Sequence, residues 1–524
     1  MILKETRVLL LALYGSMQPV NAEPLAIETL GGAIKREFGD EVVVQLSVLN
    51  ESLDLHEFIT TLQQLEIHES DIVGLSVPQS TYRLANRVLY YTQTQDVKPL
   101  IVLGHALPTH EPELFLNQFP EVLIVRGWGE ASLCQIIRQY RSGRVNPALV
   151  PNLIFKQDGK IQFSPLDWPR HPPSPMRYEP GRFFARVESS RGCHYDTCTF
   201  CTRPPRTSKI PKWFRFSVER VINQIEEIKS NGITDFTFTD EDFIGNDLKG
   251  AERIAQGLKK LGGMNYSLSL RVDNVYNPSE SEKLDKQRHS LFHLLKESGL
   301  SLVFLGVESL SSSQLNRYGK GTEPLPSIRA VDRLINIGIP VELGFIFFDP
   351  LLTLGELKEN MYGLAKTSYW KYIDQLFDHL RVQKDTACER MLKAHGLLGD
   401  FQPDIMSYDY SFQDPCIAEI ARICLIWKEE IDPVYIQARN VQRTTFDKNP
   451  SRTFVCSLRL LQFEMLQSLI KSVEQTGSPQ LDPLYYCRRL EFVKQLRKVL
   501  AKETLSLAEN EVLVSAEAFL RLSG

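Results

Sequence analysis

The segment Arg191-Gly192-Cys193-His194-Tyr195-Asp196-Thr197-Cys198-Thr199-Phe200-Cys201 spaces three cysteines as C-x4-C-x2-C. Three thiolates on one short loop can hold three irons of a [4Fe–4S] cube, because such clusters are ligated by cysteine thiolates. No fourth cysteine lies nearby, so one iron would stay open to a cofactor or substrate. A structural zinc is expected to close with four protein ligands. Zinc-binding and plain buried cysteines are the readings to weigh against the cluster. An aromatic, Phe200, directly precedes the last cysteine.

Other residues downstream could serve the same chemistry. Thr239-Asp240-Glu241-Asp242-Phe243 offers carboxylates, of which Asp240 and Glu241 suit a ligand ammonium through charge-assisted hydrogen bonds. An acidic helix N-terminus would read the same way. Arg271 could pair with a carboxylate or with a neighbouring acid. Gly306-Val307-Glu308-Ser309, followed by Lys320-Gly321, adds a second acid beside a glycine that lets backbone approach closely. Arg191, Arg203 and Arg206 flank the cysteines and could stabilise an anionic cluster, receive a redox partner or be plainly solvated.

These residues need a frame. With 524 residues the chain has room for roughly three domains. The hydrophobic share is 43% and the charged share 24%, as in an ordinary soluble protein. A net charge of −4 argues against a general grip on nucleic acid or anionic membrane. No apolar run approaches ~18 residues, so no transmembrane span is expected. The nine cysteines are odd in number and scattered, which is not a disulfide framework. Cys416, Cys424, Cys456 and Cys487 are too diffusely spaced to argue for a second cluster. The apolar run after Lys4 and Arg7 could be a signal peptide, but it reads better as the first buried strand of a regular series.

Residues 1–147 alternate strand and helix patterns. Strands are expected at 7–14, 41–48, 71–77, 99–103 and 121–125, with helices such as 24–38 and 53–65 between them. That is the pattern of a doubly wound, Rossmann-like parallel sheet, whose ligands lie beyond the C-terminal strand ends. Residues 148–180 read as a linker, with a hairpin turn at Asp158-Gly159 and then a run rich in proline. Residues 181–385 hold a second α/β series with strands at 184–189, 235–239, 266–272, 302–307, 341–347 and 375–382. Six such units suggest a partial (β/α)6 barrel with chemistry at the C-terminal strand ends, which is where the cysteine loop falls. Residues 386–524 switch to helical patterning.

The cysteine loop resembles that of the radical S-adenosylmethionine (SAM) enzymes, whose usual spacing is one residue shorter. Asp71-Ile72-Val73-Gly74-Leu75-Ser76, Val102-Leu103-Gly104-His105 and Arg126-Gly127-Trp128-Gly129-Glu130 resemble the cobalamin-binding-type domain that precedes many of them. Relatives often have Glu where Trp128 stands. The resemblance implies a [4Fe–4S] cluster on Cys193, Cys198 and Cys201, and SAM contacts from Phe200, Asp240, Glu241, Arg271, Glu308 and Ser309. It implies reductive cleavage of SAM to a 5′-deoxyadenosyl radical, cobalamin as a second cofactor, and a possible C-methyltransferase. An electron donor such as flavodoxin or ferredoxin, a small-molecule or peptide substrate and a cytoplasmic location go with it. One departure is that Asp54-Leu55-His56 only partly matches the D-x-H-x-x-G motif whose His binds cobalt, since Ile59 stands at the glycine. A helix-end Asp and His is the plainer reading there, and His105 stays open as a ligand. The alternatives are a cobalamin-independent radical SAM cyclase or rearrangement enzyme with a vestigial N-terminal domain, or a non-catalytic iron–sulfur protein.

Overall fold

The computed structural model describes residues 5–15, 22–168, 173–202, 210–444 and 454–500. The first sheet has seven strands: β1 (Thr6–Tyr14), β2 (Val42–Asn50), β3 (Ile72–Ser76), β4 (Leu100–Gly104), β5 (Leu123–Val125), β6 (Leu153–Gln157) and β7 (Lys160–Phe163). Their order is β2-β1-β3-β4-β5-β6-β7. The first five are parallel. β1 is buried at every position but Arg7, as a strand covered on both faces requires. Helices Leu25–Phe38 and Glu130–Arg141 pack on one face, Leu55–Gln64 and Tyr82–Gln93 on the other. Asp54 closes a capping box with Glu57 at the start of its helix, and His56 is exposed, so the partial cobalt-ligand motif is a helix cap.

The stretch expected as linker is partly sheet. β6 and β7 turn at Asp158 and Gly159, both with positive φ, and β6 pairs antiparallel with β5. The chain then straps helix Leu25–Phe38. The Met176 N–H donates to the Glu28 carbonyl at 2.8 Å and the Tyr178 N–H to the Glu28 carboxylate at 2.8 Å. Arg177 donates to Glu23 at 2.7 Å.

The second sheet is parallel, in the order β14-β13-β12-β11-β8, from β8 (Ala185–Val187), β11 (Asp235–Phe238), β12 (Asn265–Arg271), β13 (Leu300–Glu308) and β14 (Val341–Phe345). A short antiparallel pair, β9 (Ser190–Gly192) with β10 (Trp213–Arg215), follows β8. The sixth strand expected at 375–382 is only isolated bridges, Phe348 to His379 and Val382 to Tyr408, preceded by Leu343 to Ile373. A turn at Leu376 and Phe377 buckles the chain between them, so no ladder can propagate. The helical tail also contains a hairpin, β15 (Leu398–Gln402) with β16 (Ser407–Tyr410). Helices Pro415–Thr444, Phe454–Thr476 and Pro483–Leu500 then share the core of the second sheet. Arg459, fully buried on the second of these, donates to Glu342 of β14 at 3.0 Å. Among the described residues, no helix is long and apolar enough to cross a membrane.

Glu28 is fully buried beneath the strap. Burial, then the nearby Glu23, push its pKa up to about 8. A carboxyl raised in the fold contributes most stability below its unfolded value and loses it as pH climbs through the folded one. Unfolding midpoints should therefore fall between about pH 5 and pH 8, and Glu28→Gln should flatten that slope in thermal melts across the range. An unchanged slope in the variant would dismiss Glu28 as its source.

Candidate functional site

The cysteine loop leaves β9 at the C-terminal end of β8, where the parallel strands aim their last residues. Its root is held by Asp240, at the end of β11. The Asp240 carboxylate accepts from the Ser189 N–H (3.0 Å), the Ser189 hydroxyl (2.9 Å), the Ser190 hydroxyl (2.8 Å) and the Ser190 N–H. Burial pushes this carboxyl up to about 7, against the pull of the Ser190 and Ser189 hydrogen bonds. Beside it, fully buried Asp242 accepts two hydrogen bonds from the Asn274 amide, at 2.7 and 2.9 Å, and lies 2.7 Å from the ring of His194. The loop's far end is tied down by Thr199, whose N–H donates to the Tyr318 carbonyl and whose hydroxyl donates to the Arg317 carbonyl, both at 2.9 Å. Gly321 has φ +69°, and a Cβ there would meet the Tyr195 hydroxyl at 2.1 Å.

Arg271, at the end of β12, braces this loop. It donates to Asp273 at 2.9 and 3.2 Å and to the Lys320 carbonyl at 3.1 Å, stacks 3.8 Å over the Tyr195 ring and reaches within 3.8 Å of the Cys198 sulfur. Burial opposes its charge, but Asp273, then Cys198 and Cys193, outweigh burial and hold its pKa above the usual guanidinium value. Cys193 is buried, Cys198 and Cys201 are half-buried, and none is in a disulfide. Among the described residues no three His, Cys, Asp or Glu side chains gather tightly enough for one metal ion. A cube places its ligands on separate irons, so three spaced thiols outside any disulfide, beside a buried cation, suit a cluster.

Glu308 ends β13 with φ +68°, where the register with β14 shifts between Gly306 and Glu308. Such a bulge re-aims a side chain. Lys320 donates to its carboxylate at 2.9 Å. Phe200 sets its edge against Tyr318, ring centres 5.6 Å apart, in the small apolar patch that includes Ile346.

Three expected contacts differ. Asp240 already receives four donors from Ser189 and Ser190, so its carboxylate shapes the loop root. Glu241 is exposed. Ser309 is fully buried and bonds Gln314 (2.6 Å) and Asn360 (2.9 Å), because consecutive residues at a strand end point to opposite sides. Arg191 is not solvated. It pairs with Glu188 and, across to the first sheet's helix Glu130–Arg141, with Glu130, each at 2.7 Å. Arg203 and Arg206 lie outside the described residues.

A cleft of ≈ 430 Å³ opens where the strand ends of the two sheets meet. Gly74, His105 and Trp128 line it from the first sheet, and Arg186, Arg191 and Thr239 from the second. A Cβ on Gly74 would crowd Leu10 at 2.7 Å, so the glycine keeps the floor of the cleft open. Arg191 is two residues from Cys193, so cleft and cysteine loop share a wall.

A family model for the Radical SAM superfamily matches residues 187–361, from the end of β8 through β14. Those residues are a radical SAM domain. The chain is 29% identical over 399 residues, 70% of its length, to 4′-phospho-dehydrooxetanocin synthase of Priestia megaterium, and spans about half (53%) of that relative. The cobalamin-dependent SAM radical enzyme OxsB, solved with aqua-cobalamin and SAM bound, aligns over 99% of this chain and 84% of its own, with TM-score 0.78 and 20% identity. The radical SAM methyltransferase TsrM from Kitasatospora setae, solved with cobalamin and a [4Fe–4S] cluster, aligns over 69% of this chain and 70% of its own, with TM-score 0.56 and 18% identity. At these identities the structures establish a common fold. The radical SAM domain itself implies the cluster and SAM.

Sequence reasoning missed Asp242, His194, Asn274 and the Thr199 anchor. Nothing in their spacing signals them, since the partners lie 48 residues apart for His194 and Asp242, 32 for Asn274 and Asp242, and 118 for Thr199 and Arg317. Asp240→Ala should cut reconstituted iron and sulfide to well under half of the parent value by freeing four donors, while Glu241→Ala should leave both unchanged. Equal iron loading in the Asp240 variant, by colorimetric assay on folded protein, would contradict the placement.

Proposed function

We propose that this chain is a cobalamin-dependent radical SAM enzyme, acting as a C-methyltransferase on a small-molecule or peptide substrate. The observation that carries the reading is the shared wall. The cleft at the first sheet's C-terminal strand ends opens against Arg191 and Thr239, beside the cysteine loop of the radical SAM domain. Ligands of open α/β sheets lie at such ends.

Cys193, Cys198 and Cys201 would hold three irons, leaving the fourth for the amino-acid end of SAM. When bound, the cluster would supply the electron that cleaves SAM reductively, and cobalamin the methyl group. The protein's share is positioning and charge. Arg271 sets the loop and offsets the thiolates' negative charge. The Glu308 carboxylate, aimed by its bulge and held by the Lys320 ammonium, suits the SAM ammonium. Phe200 and Ile346 form apolar surface that suits the adenine. The Arg191–Glu130 pair spans the two sheets and holds the cleft in register with the loop. An open iron needs a reducing setting, which supports a cytoplasmic location and a flavodoxin or ferredoxin as donor.

Anaerobic reconstitution with iron, sulfide, hydroxocobalamin and SAM, followed by dithionite, tests this. About four irons per chain, a retained corrinoid spectrum and 5′-deoxyadenosine are expected, and methyl-deuterated SAM should label the corrinoid. Cys198→Ala should lose the iron and the 5′-deoxyadenosine. Protein that yields 5′-deoxyadenosine but retains no corrinoid would exclude the cobalamin-dependent reading; iron-loaded protein that leaves SAM intact would exclude the radical one.

A further inference from the structure

Away from the cleft and the cysteine loop, the helix Glu282–Glu297 carries four potential metal ligands at single-turn spacing: Asp285, His289, His293 and Glu297. Residues four apart on a helix are surface neighbours. The helix buries Leu291, Phe292 and Leu295 on its inner face, and Ser281 caps its start, so its backbone is fixed. Neighbouring helices engage the two ends of the stripe. Arg333, on helix Pro324–Ile337, donates to Asp285 at 2.8 and 3.0 Å. Lys259, on helix Leu248–Leu261, donates to Glu297 at 2.7 Å. The two histidines between them are exposed and meet each other.

That meeting has a specific geometry. The Nε2 atoms are 3.2 Å apart, and the rings stand edge to face, with centres 4.8 Å apart. Two neutral imidazoles approach in this way only if one Nε2 carries a proton and the other presents its lone pair. A metal ion can take the place of that proton. With metal–nitrogen bonds of about 2.0–2.1 Å, two adjacent ligand nitrogens lie roughly 3.0–3.4 Å apart, so this pair already has the bite of a chelate. Partial burial of the ring, then His293 and Arg333, hold the His289 pKa below its ordinary value, which favours the neutral, ligating form. Imidazole suits zinc, nickel and copper(II), whereas calcium and magnesium want oxygen ligands.

We propose that His289 and His293 form a two-histidine chelate for a divalent cation of the zinc, nickel or copper(II) class, with water filling its remaining positions. The site stands apart from the SAM and cobalamin reading above and does not depend on it. Asp285 and Glu297 stay with Arg333 and Lys259, so they brace the ends of the stripe and do not ligate. A bound ion ties two successive turns of the helix that leads into β13. Because only the folded helix presents this spacing, binding stabilises the fold.

The test is calorimetric titration of nickel(II) into the full chain, as the parent, His289→Ala, His293→Ala and the double variant. Alanine favours helix and both positions are exposed, so all four should fold. Nickel taken up by the cysteine loop is common to the four and cancels in the comparison. The parent should show a site that either single substitution weakens about 100-fold, because the second imidazole binds as an intramolecular step. The double variant should lose little beyond either single one, the non-additivity of two ligands on one ion. Copper(II) on the parent should show hyperfine splitting from two imidazole nitrogens by electron paramagnetic resonance, and nickel should raise the thermal midpoint of the parent more than that of any variant. A single variant that binds nickel like the parent overturns the chelate. Losses that simply add between the two positions overturn it as well, since they would mean two separate ligands.

Discussion

The site hangs on one buried carboxylate. Asp240 ends a central strand and gathers four donors from two consecutive serines, which sets the direction in which the chain leaves β8. A short loop carrying three thiols cannot choose its own geometry, since it has no core and little secondary structure. Its root must be fixed by something rigid, and a buried carboxylate receiving four hydrogen bonds is stiff in the low dielectric of the interior. Asp242 extends the same device outward to His194, and Arg271 meets the loop from the next strand.

From that root two consequences spread. The loop passes the end of β13, where a bulge aims Glu308 toward the same side. On the other flank, Arg191 reaches across to Glu130 on the first sheet. The Arg191–Glu130 and Lys320–Glu308 pairs are largely buried, so a partner removed would leave a charge uncompensated at a cost of several kcal/mol. Such pairs fix geometry more than they add stability. The two sheets thereby face one another by their C-terminal strand ends, where open α/β sheets keep their ligands.

The legible part of the chain was its strands and its thiols. Apolar runs such as 7–14, 71–77 and 341–347 could be placed because a strand buried on both faces must be apolar throughout. The cysteine spacing named the chemistry because cluster ligation depends on residue type at short range. The remaining errors share a cause. The stretch 375–382 has a strand's composition, yet a turn at Leu376 and Phe377 interrupts its pairing. The hairpin at Asp158-Gly159 was visible, but the sheet edge it would join was not.

The sequence by itself determined which elements form, where three thiols stand, and which acids end the strands near them. Those properties follow from local periodicity and side-chain type. Only the tertiary structure decided which acids are free to act. Asp240 is consumed by Ser189 and Ser190, Glu241 faces solvent, and Glu308 turns inward on a bulge, although all three are strand-end carboxylates. It also brought His105 and Arg186, 81 residues apart by their numbering, to one cleft. Hydrogen-bond saturation and burial depend on neighbours distant in the chain, and no local pattern records them.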